Sequence, residues 1–168
     1  MTILQDWPEN RGNLKGRIVL ILFRLASACA KMPSWLRWIG LPYVALYRCL
    51  VEWGLCIELP WKLRVGPGLR VFHGHALVVN DRAVIGRRCV LRNSTTIGVS
   101  TTSRTYDGQA PVIGDDVDIG ANVVIVGNVQ VGDRALIGAG SVVVADVPAD
   151  AVVVGNPARV LRIKGAQV

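Results

Sequence analysis

Two residues of this 168-residue chain carry the side chain best suited to moving protons near neutral pH: His73 and His75, its only histidines. An imidazole can take a proton and return it, so either is a candidate general base or acid. On an extended segment, residues two apart point the same way, but Gly74 between them lets that alternation break. A histidine taken alone is by default structural or solvated, so its surroundings must decide. Two closely spaced histidines cannot supply the three imidazoles of a catalytic zinc centre, and no metal site is expected. Cys29, Cys49, Cys56 and Cys89 have neither CxxC nor histidine-rich spacing, and they read as buried, reduced thiols of a cytoplasmic protein.

The elements that must position these groups are written in a six-residue rhythm. An aliphatic residue recurs at Ile85, Leu91 and Ile97, then at Ile113, Ile119, Ile125, Val131, Ile137 and Val143. Glycine follows at Gly86, Gly98, Gly114, Gly120, Gly132 and Gly138, and a small or β-branched residue stands four places on, as at Cys89, Thr95, Thr101, Val117, Val123, Val129, Ala135 and Ser141. A period of six fits neither a helix nor a lone strand. Strands of a sandwich would alternate with period two between longer turns. Three hexads make a coil of roughly eighteen residues with three flat faces and the aliphatics on the axis, so the expected fold is mainly β, a left-handed parallel β-helix.

The rhythm fails twice. Val71 and Val79 are eight residues apart around VFHGHALVV, and that slip holds both histidines. Ile97 and Ile113 are sixteen apart, and the intervening VSTTSRTYDGQAP is polar with Gly108 and Pro111, which predicts a protruding loop over about 99–111. Loops on a rigid scaffold commonly carry binding groups.

The first 56 residues differ in kind and are expected to form a helical segment ahead of the β-helix at 57–168. Ile18, Leu22, Leu25 and Cys29 recur at helical spacing, and after Met32-Pro33 so do Trp35, Ile39, Leu46, Leu50 and Trp53, predicting two amphipathic helices. The apolar run Ile18 to Phe23 is too short to span a membrane before Arg24 interrupts it. The chain carries a net charge of +7. Seven basic residues here (Arg11, Lys15, Arg17, Arg24, Lys31, Arg37, Arg48) less three acidic ones (Asp6, Glu9, Glu52) contribute +4 of it. No basic tract is interleaved with aromatics, which speaks against nucleic acid. Basic charge beside tryptophan suits an interfacial helix at the anionic inner membrane face. The preferred reading is that the same helices pack on the solenoid and cap the open end that every solenoid has.

From Glu58 to Ile163 the chain resembles the left-handed β-helix acyltransferases of the hexapeptide-repeat family, within the serine acetyltransferase group. The stretch IELPWKLRVGPGLRVFHGHALVVNDRAVIG is similar to that group's segment around its catalytic histidine, and IGAGSVVVADVPADAVVVGNPARVLR to its closing signature. The resemblance puts His73 on the catalytic histidine and Glu58, fifteen residues earlier, on its acidic partner. Two departures stand out: Phe72 replaces an aspartate, and APVI replaces HPKI, leaving Ala110 where a second histidine would be. With its short front end, the chain is more similar to the acetyltransferases of colanic acid and exopolysaccharide gene clusters. The resemblance implies acetyl-CoA as donor, a sugar hydroxyl on a glycan or lipid-linked glycan as acceptor, direct transfer with His73 as base, and a homotrimer with sites between subunits. It implies donor contacts at Gly98, Ala121, Ala139, Arg159, Arg162 and Lys164, and acceptor contacts at His75, Asn93, Arg104 and Tyr106. Serine O-acetylation and a non-catalytic membrane-associated solenoid are the alternatives.

Overall fold

The computed structural model describes residues 2–100, 109–163 and 165. Helix α1 (Leu14–Ala30) is followed by α2 (Arg37–Tyr47), which continues into a π-helical stretch, Arg48–Gly54. Beyond it the chain winds into a three-faced parallel β-solenoid, as the hexads predict. The first face stacks β1 (Ile57–Glu58), β4 (Leu77–Val79), β7 (Thr96–Gly98), β10 (Val124–Val126) and β13 (Val142–Val143). The second stacks β2 (Arg64–Val65), β5 (Val84–Ile85), β8 (Val112–Ile113) and β11 (Gln130–Val131). The third stacks β3 (Arg70–Phe72), β6 (Val90–Arg92), β9 (Asp118–Ile119), β12 (Leu136–Ile137) and β14 (Ala151–Gly155), and ends with β15 (Ala158–Ile163) folded back antiparallel.

The marked aliphatics form continuous files down the axis. Val79, Ile97, Ile125 and Val143 line up on the first face, and Val71, Leu91, Ile119, Ile137 and Val153 are buried behind the third. Each side chain so buried stabilises by about 1.5–3 kcal/mol relative to exposure. Cys89, Thr95, Val117, Val123, Val129, Ala135 and Ser141 are the buried corner fillers; Thr101 lies outside the described residues. The glycines answer to coil stacking. A Cβ on Gly86 would stand 2.3 Å from the Gly114 carbonyl oxygen, and one on Gly120 would stand 2.6 Å from the Ala139 nitrogen.

Both slips appear in the strand register. Thr96 pairs with Val78 and Val142 with Val124, a regular eighteen residues each, but Leu77 pairs with Ile57, twenty residues on. Val124 pairs with Thr96, twenty-eight on, so ten additional residues stand between β7 and β8; 101–108 fall outside the described residues. The two extra residues of the first slip make a bulge at 73–76. His73 (φ 62°) and Gly74 (φ 55°) are both left-handed, and hydrogen bonds from Gly74 N to Phe72 O and from His75 N to His73 O close two successive three-residue turns at 2.7 Å each. The other left-handed non-glycine residues sit at regular corners, Cys56, Ala76, Ser94 and Asn122 on one edge and Arg88, Asp116, Arg134 and Asp150 on another. His73 belongs to neither file.

The front segment caps the solenoid. Asp6 Oδ1 accepts from Gly68 N (2.8 Å) and Leu69 N (3.0 Å), and the Arg24 guanidinium donates to Val65 O (2.9 Å) and Gly66 O (2.6 Å). Asp6 and Arg24 are themselves paired at 2.7 Å and almost wholly buried. Asn10 donates to Leu69 O (2.8 Å), Asn13 to Val71 O (2.7 Å), Lys15 to His73 O (3.0 Å) and the Tyr47 hydroxyl to Leu59 O (2.6 Å). Of the two readings of the helices, capping is therefore realised. The face of α1 is a correction to the sequence reading. Gly16, Val19, Leu20, Phe23, Ala26 and Ser27 are buried, whereas Ile18 is 49% exposed. Leu22 and Cys29 belong to the side facing α2, where the Tyr43 hydroxyl bonds Leu22 O and Gly40 packs on Cys29. The cysteine reading also needs correcting. Cys89 alone of the four is buried, its thiol pushed up to about 11 by desolvation, while Cys49 and Cys56 are exposed.

Three outcomes follow from these contacts. Asp6→Ala leaves a buried guanidinium unpaired and two amides unsatisfied, and should lower unfolding free energy by about 3–5 kcal/mol in a denaturant titration. Gly74→Ala places a Cβ at φ 55° and 2.8 Å from Ile57 Cδ1; it should destabilise by about 1–3 kcal/mol, measured the same way. On the outer corner, Arg87 and Arg88 pair with Asp115 and Asp116 of the next coil. The backbone N–H and guanidinium of Arg87 hold Asp115 below its ordinary value, and the Arg88 guanidinium does the same for Asp116. A carboxylate depressed in the folded state stabilises above its unfolded pKa, and that stabilisation is lost as pH falls through the folded value. The melting temperature should therefore decline from about pH 4 downward, and less so in Asp115→Asn/Asp116→Asn.

Candidate functional site

The bulge and strand β1 form one corner of the first coils. Gly74 is buried, and its missing side chain allows it to rest on Ile57, with the Ile57 Cδ1 2.8 Å and the Val71 Cγ1 3.0 Å from where a Cβ would stand. The residue after Ile57 is Glu58, exposed on the outward row of β1. The slip therefore brings the backbone of Gly74 against the inward side chain of Ile57, the residue before Glu58. The His73 ring is exposed, and its backbone is tied to the cap through Lys15. No hydrogen bond or ion pair joins His73 to Glu58 among the described residues.

Glu58 opens into a cleft of about 670 Å³ between the π-helical stretch and the first face. Trp53 and Trp61 supply aromatic walls, and Asn80, Asp81 and Thr96 the polar groups. Arg48 pairs with Glu52 at 2.7 Å on the same wall. Gly98 lines the far side. Alone among the hexad glycines it has open space where a Cβ would be, so coil stacking among the described residues does not demand a glycine there.

A second group of sequence-selected residues lies on one edge of the solenoid. Ser94 N donates to His75 O (2.8 Å), Asn122 N to Asn93 O (3.0 Å) and Gly140 N to Ala121 O (2.9 Å). His75, Asn93, Ala121 and Ala139 thus descend coil by coil in a single file that starts at the bulge. Their side chains shorten toward the lower coils, from histidine and asparagine to two alanines. Gly98 is not part of this file; it ends β7 at the opposite edge of the first face. Arg159 and Arg162 are exposed and lie within β15, opposite Val154 and Val152, rather than on a tail after the last strand. Arg104, Tyr106 and Lys164 lie outside the described residues. Ala110 is partly buried against the core, so this position presents a methyl group inward rather than a ring to a site.

The sequence reading missed the cleft's own polar and aromatic walls. Asn80 follows Val79 at the position where glycine follows Ile97, and nothing in the spacing of Trp61, Asn80 and Asp81 links them to Glu58. The available signal was weak: a tryptophan three residues after Glu58, in a chain with five in all.

With this geometry in view, comparison with known proteins is informative. Residues 110–145 match the model of the bacterial transferase hexapeptide, six repeats. The chain is 34% identical over 167 residues to an Escherichia coli (strain K12) protein provisionally named colanic acid biosynthesis acetyltransferase WcaB, covering 96% of this chain and 100% of that one. It is 33% identical over 144 residues to a serine acetyltransferase of Synechococcus elongatus, covering 85% of this chain but only 58% of that enzyme. Among solved structures, soybean serine acetyltransferase without ligand superposes with a TM-score of 0.79 at 29% identity, over 95% of this chain and 67% of that one. The chain belongs to the hexapeptide-repeat acetyltransferase family.

Proposed function

We propose that the protein transfers an acetyl group from acetyl-CoA to a sugar hydroxyl of an exopolysaccharide precursor. The observation that carries this reading is the bulge, which lifts the exposed His73 out of the regular coil file while its neighbour Gly74 rests on Ile57, the residue before Glu58. A sugar hydroxyl is a weak nucleophile until a base removes its proton. His73 Nε2 takes that proton as the acceptor oxygen bonds to the thioester carbon. Glu58 accepts a hydrogen bond from the other ring nitrogen, fixing the tautomer and stabilising the imidazolium. Because Gly98 lies at the opposite edge of the first face from the bulge, its backbone would reach the oxyanion that forms only from a neighbouring subunit. Collapse breaks the carbon–sulfur bond, and the imidazolium proton leaves with the CoA thiol, so no acyl-enzyme is needed.

The donor fits the small-residue edge, where a thin pantetheine arm can approach backbone closely. Arg159 and Arg162 offer guanidinium groups to its phosphates. The homotrimer suggested by the family would place this edge beside a second subunit. For the acceptor, aromatic faces with a few carboxylates and amides are what a polyhydroxylated ring needs. Full-length similarity to a colanic acid acetyltransferase supports the same class. The serine alternative draws support from the solved relatives, but Ala110 supplies no second histidine to grip an amino acid.

The test is thiol release from acetyl-CoA against a panel of glycan acceptors and free serine, with mass shift identifying the product. Glycan-dependent release with little from serine is expected; robust turnover on serine alone would reverse the ranking. His73→Ala should lower kcat by about 10²–10⁴-fold with the fold intact. Normal transfer by that variant would remove His73 from the chemistry.

A further inference from the structure

Helix α2 is apolar on two opposite sides. Gly40, Val44, Tyr47 and Val51 recur at three to four residues and face the protein. On the other side Trp35, Trp38, Ile39, Leu46, Leu50 and Trp53 form a second stripe at the same spacing, and all six are exposed, the tryptophans at 70%, 68% and 73%. A helix apolar all round is ordinarily buried or in contact with lipid. Scattered exposed apolar residues are unremarkable, but a contiguous stripe with three tryptophans marks an interaction surface.

The segment that bears the stripe is basic on balance: from 31 to 54 Lys31, Arg37 and Arg48 stand against Glu52 alone, and although Arg48 is ion-paired with Glu52, the exposed Lys31 and Arg37 leave the segment positive. Charge of this sign beside tryptophan matches an anionic bilayer surface, where indole rings settle at headgroup depth and each basic residue adds electrostatic attraction. No helix among the described residues is long and apolar enough to cross a membrane, so such contact would lie in the interface plane.

We infer that the outer stripe of α2 and the π-helical stretch is an interfacial docking surface for an anionic membrane. Trp53 ends the stripe and also lines the cleft into which Glu58 opens. Docking by this stripe would hold the cleft mouth at the headgroup layer, within reach of an acceptor sugar carried on a lipid. That last consequence rests on the proposed acetyl transfer, whereas the docking itself does not.

The full chain should sediment with vesicles of phosphatidylcholine containing about 30% phosphatidylglycerol, and about tenfold less with phosphatidylcholine alone. Its tryptophan emission should shift to the blue and be quenched by brominated lipid. Trp38→Glu/Leu46→Glu should lose vesicle binding at least tenfold while keeping the wild-type melting temperature and thiol release on a soluble acceptor. Absence of wild-type binding and quenching on anionic vesicles would overturn the inference. So would a fall in oligomer mass in the double variant with vesicle binding unchanged, which would assign the stripe to a second copy of the chain. Because neither vesicle readout involves acetyl transfer, failure of docking and failure of the enzymatic reading are separately visible.

Discussion

The first coil of a parallel solenoid has no coil before it, so its backbone amides and carbonyls on that side lack the ladder that satisfies every later coil. Buried backbone groups left in that state are costly, and an exposed row of them is a template for pairing with another chain. Here the row is met by side chains acting in place of a strand. Asp6 supplies the acceptor for Gly68 and Leu69, Arg24 donates to Val65 and Gly66, and Asn10 and Asn13 serve Leu69 and Val71. The Asp6–Arg24 pair is buried, a placement that by itself seldom stabilises. What makes it tolerable is that both groups also bond the solenoid's edge, so the pair's desolvation and the edge's are offset together.

The same cap reaches the candidate site. Asn13 holds Val71 and Lys15 holds the carbonyl of His73, so the strand entering the bulge is tied at its outer edge. From the inner side Gly74 presses on Ile57. The left-handed backbone at His73 and Gly74 is thus constrained from two directions, which is how a conformation unfavourable in isolation persists. A regular coil could not have produced it. With eighteen residues per turn, the corner between the third and first faces holds one left-handed residue, as at Ser94 and Asn122. Two additional residues are what lift an imidazole out of the file.

Helix α2 carries the opposing demands of this arrangement. Its inner side must be apolar to close over the first coil, with Tyr47 reaching Leu59 O. Its outer side is equally apolar and has nothing from the described chain upon it. A helix needed only as a lid would gain solubility from polar residues there, so the outer stripe is the part of the front segment that capping does not explain.

The repeating architecture was legible in the sequence because a hexad period is a one-dimensional property: each aliphatic meets the one a coil away, and each following glycine is needed where the next backbone passes within van der Waals contact. The slip that isolates His73 was legible for the same reason, as a break in an otherwise regular count. Glu58 was reachable only through family resemblance, since nothing in its neighbours distinguishes it from a solvated carboxylate. That the helices could cap the solenoid was legible, but the side chains that do so were not. Asp6, Asn10, Asn13 and Arg24 read as ordinary polar residues at helical spacing, and the groups they satisfy lie some forty to sixty residues away. The buried face of α1 was misread for a related reason: a helix with apolar residues on two sides does not specify which will meet the solenoid and which the next helix. Periodicity is encoded by neighbours along the chain, whereas satisfaction of an edge and choice of a buried face depend on which distant backbone arrives, and only the tertiary structure decides that.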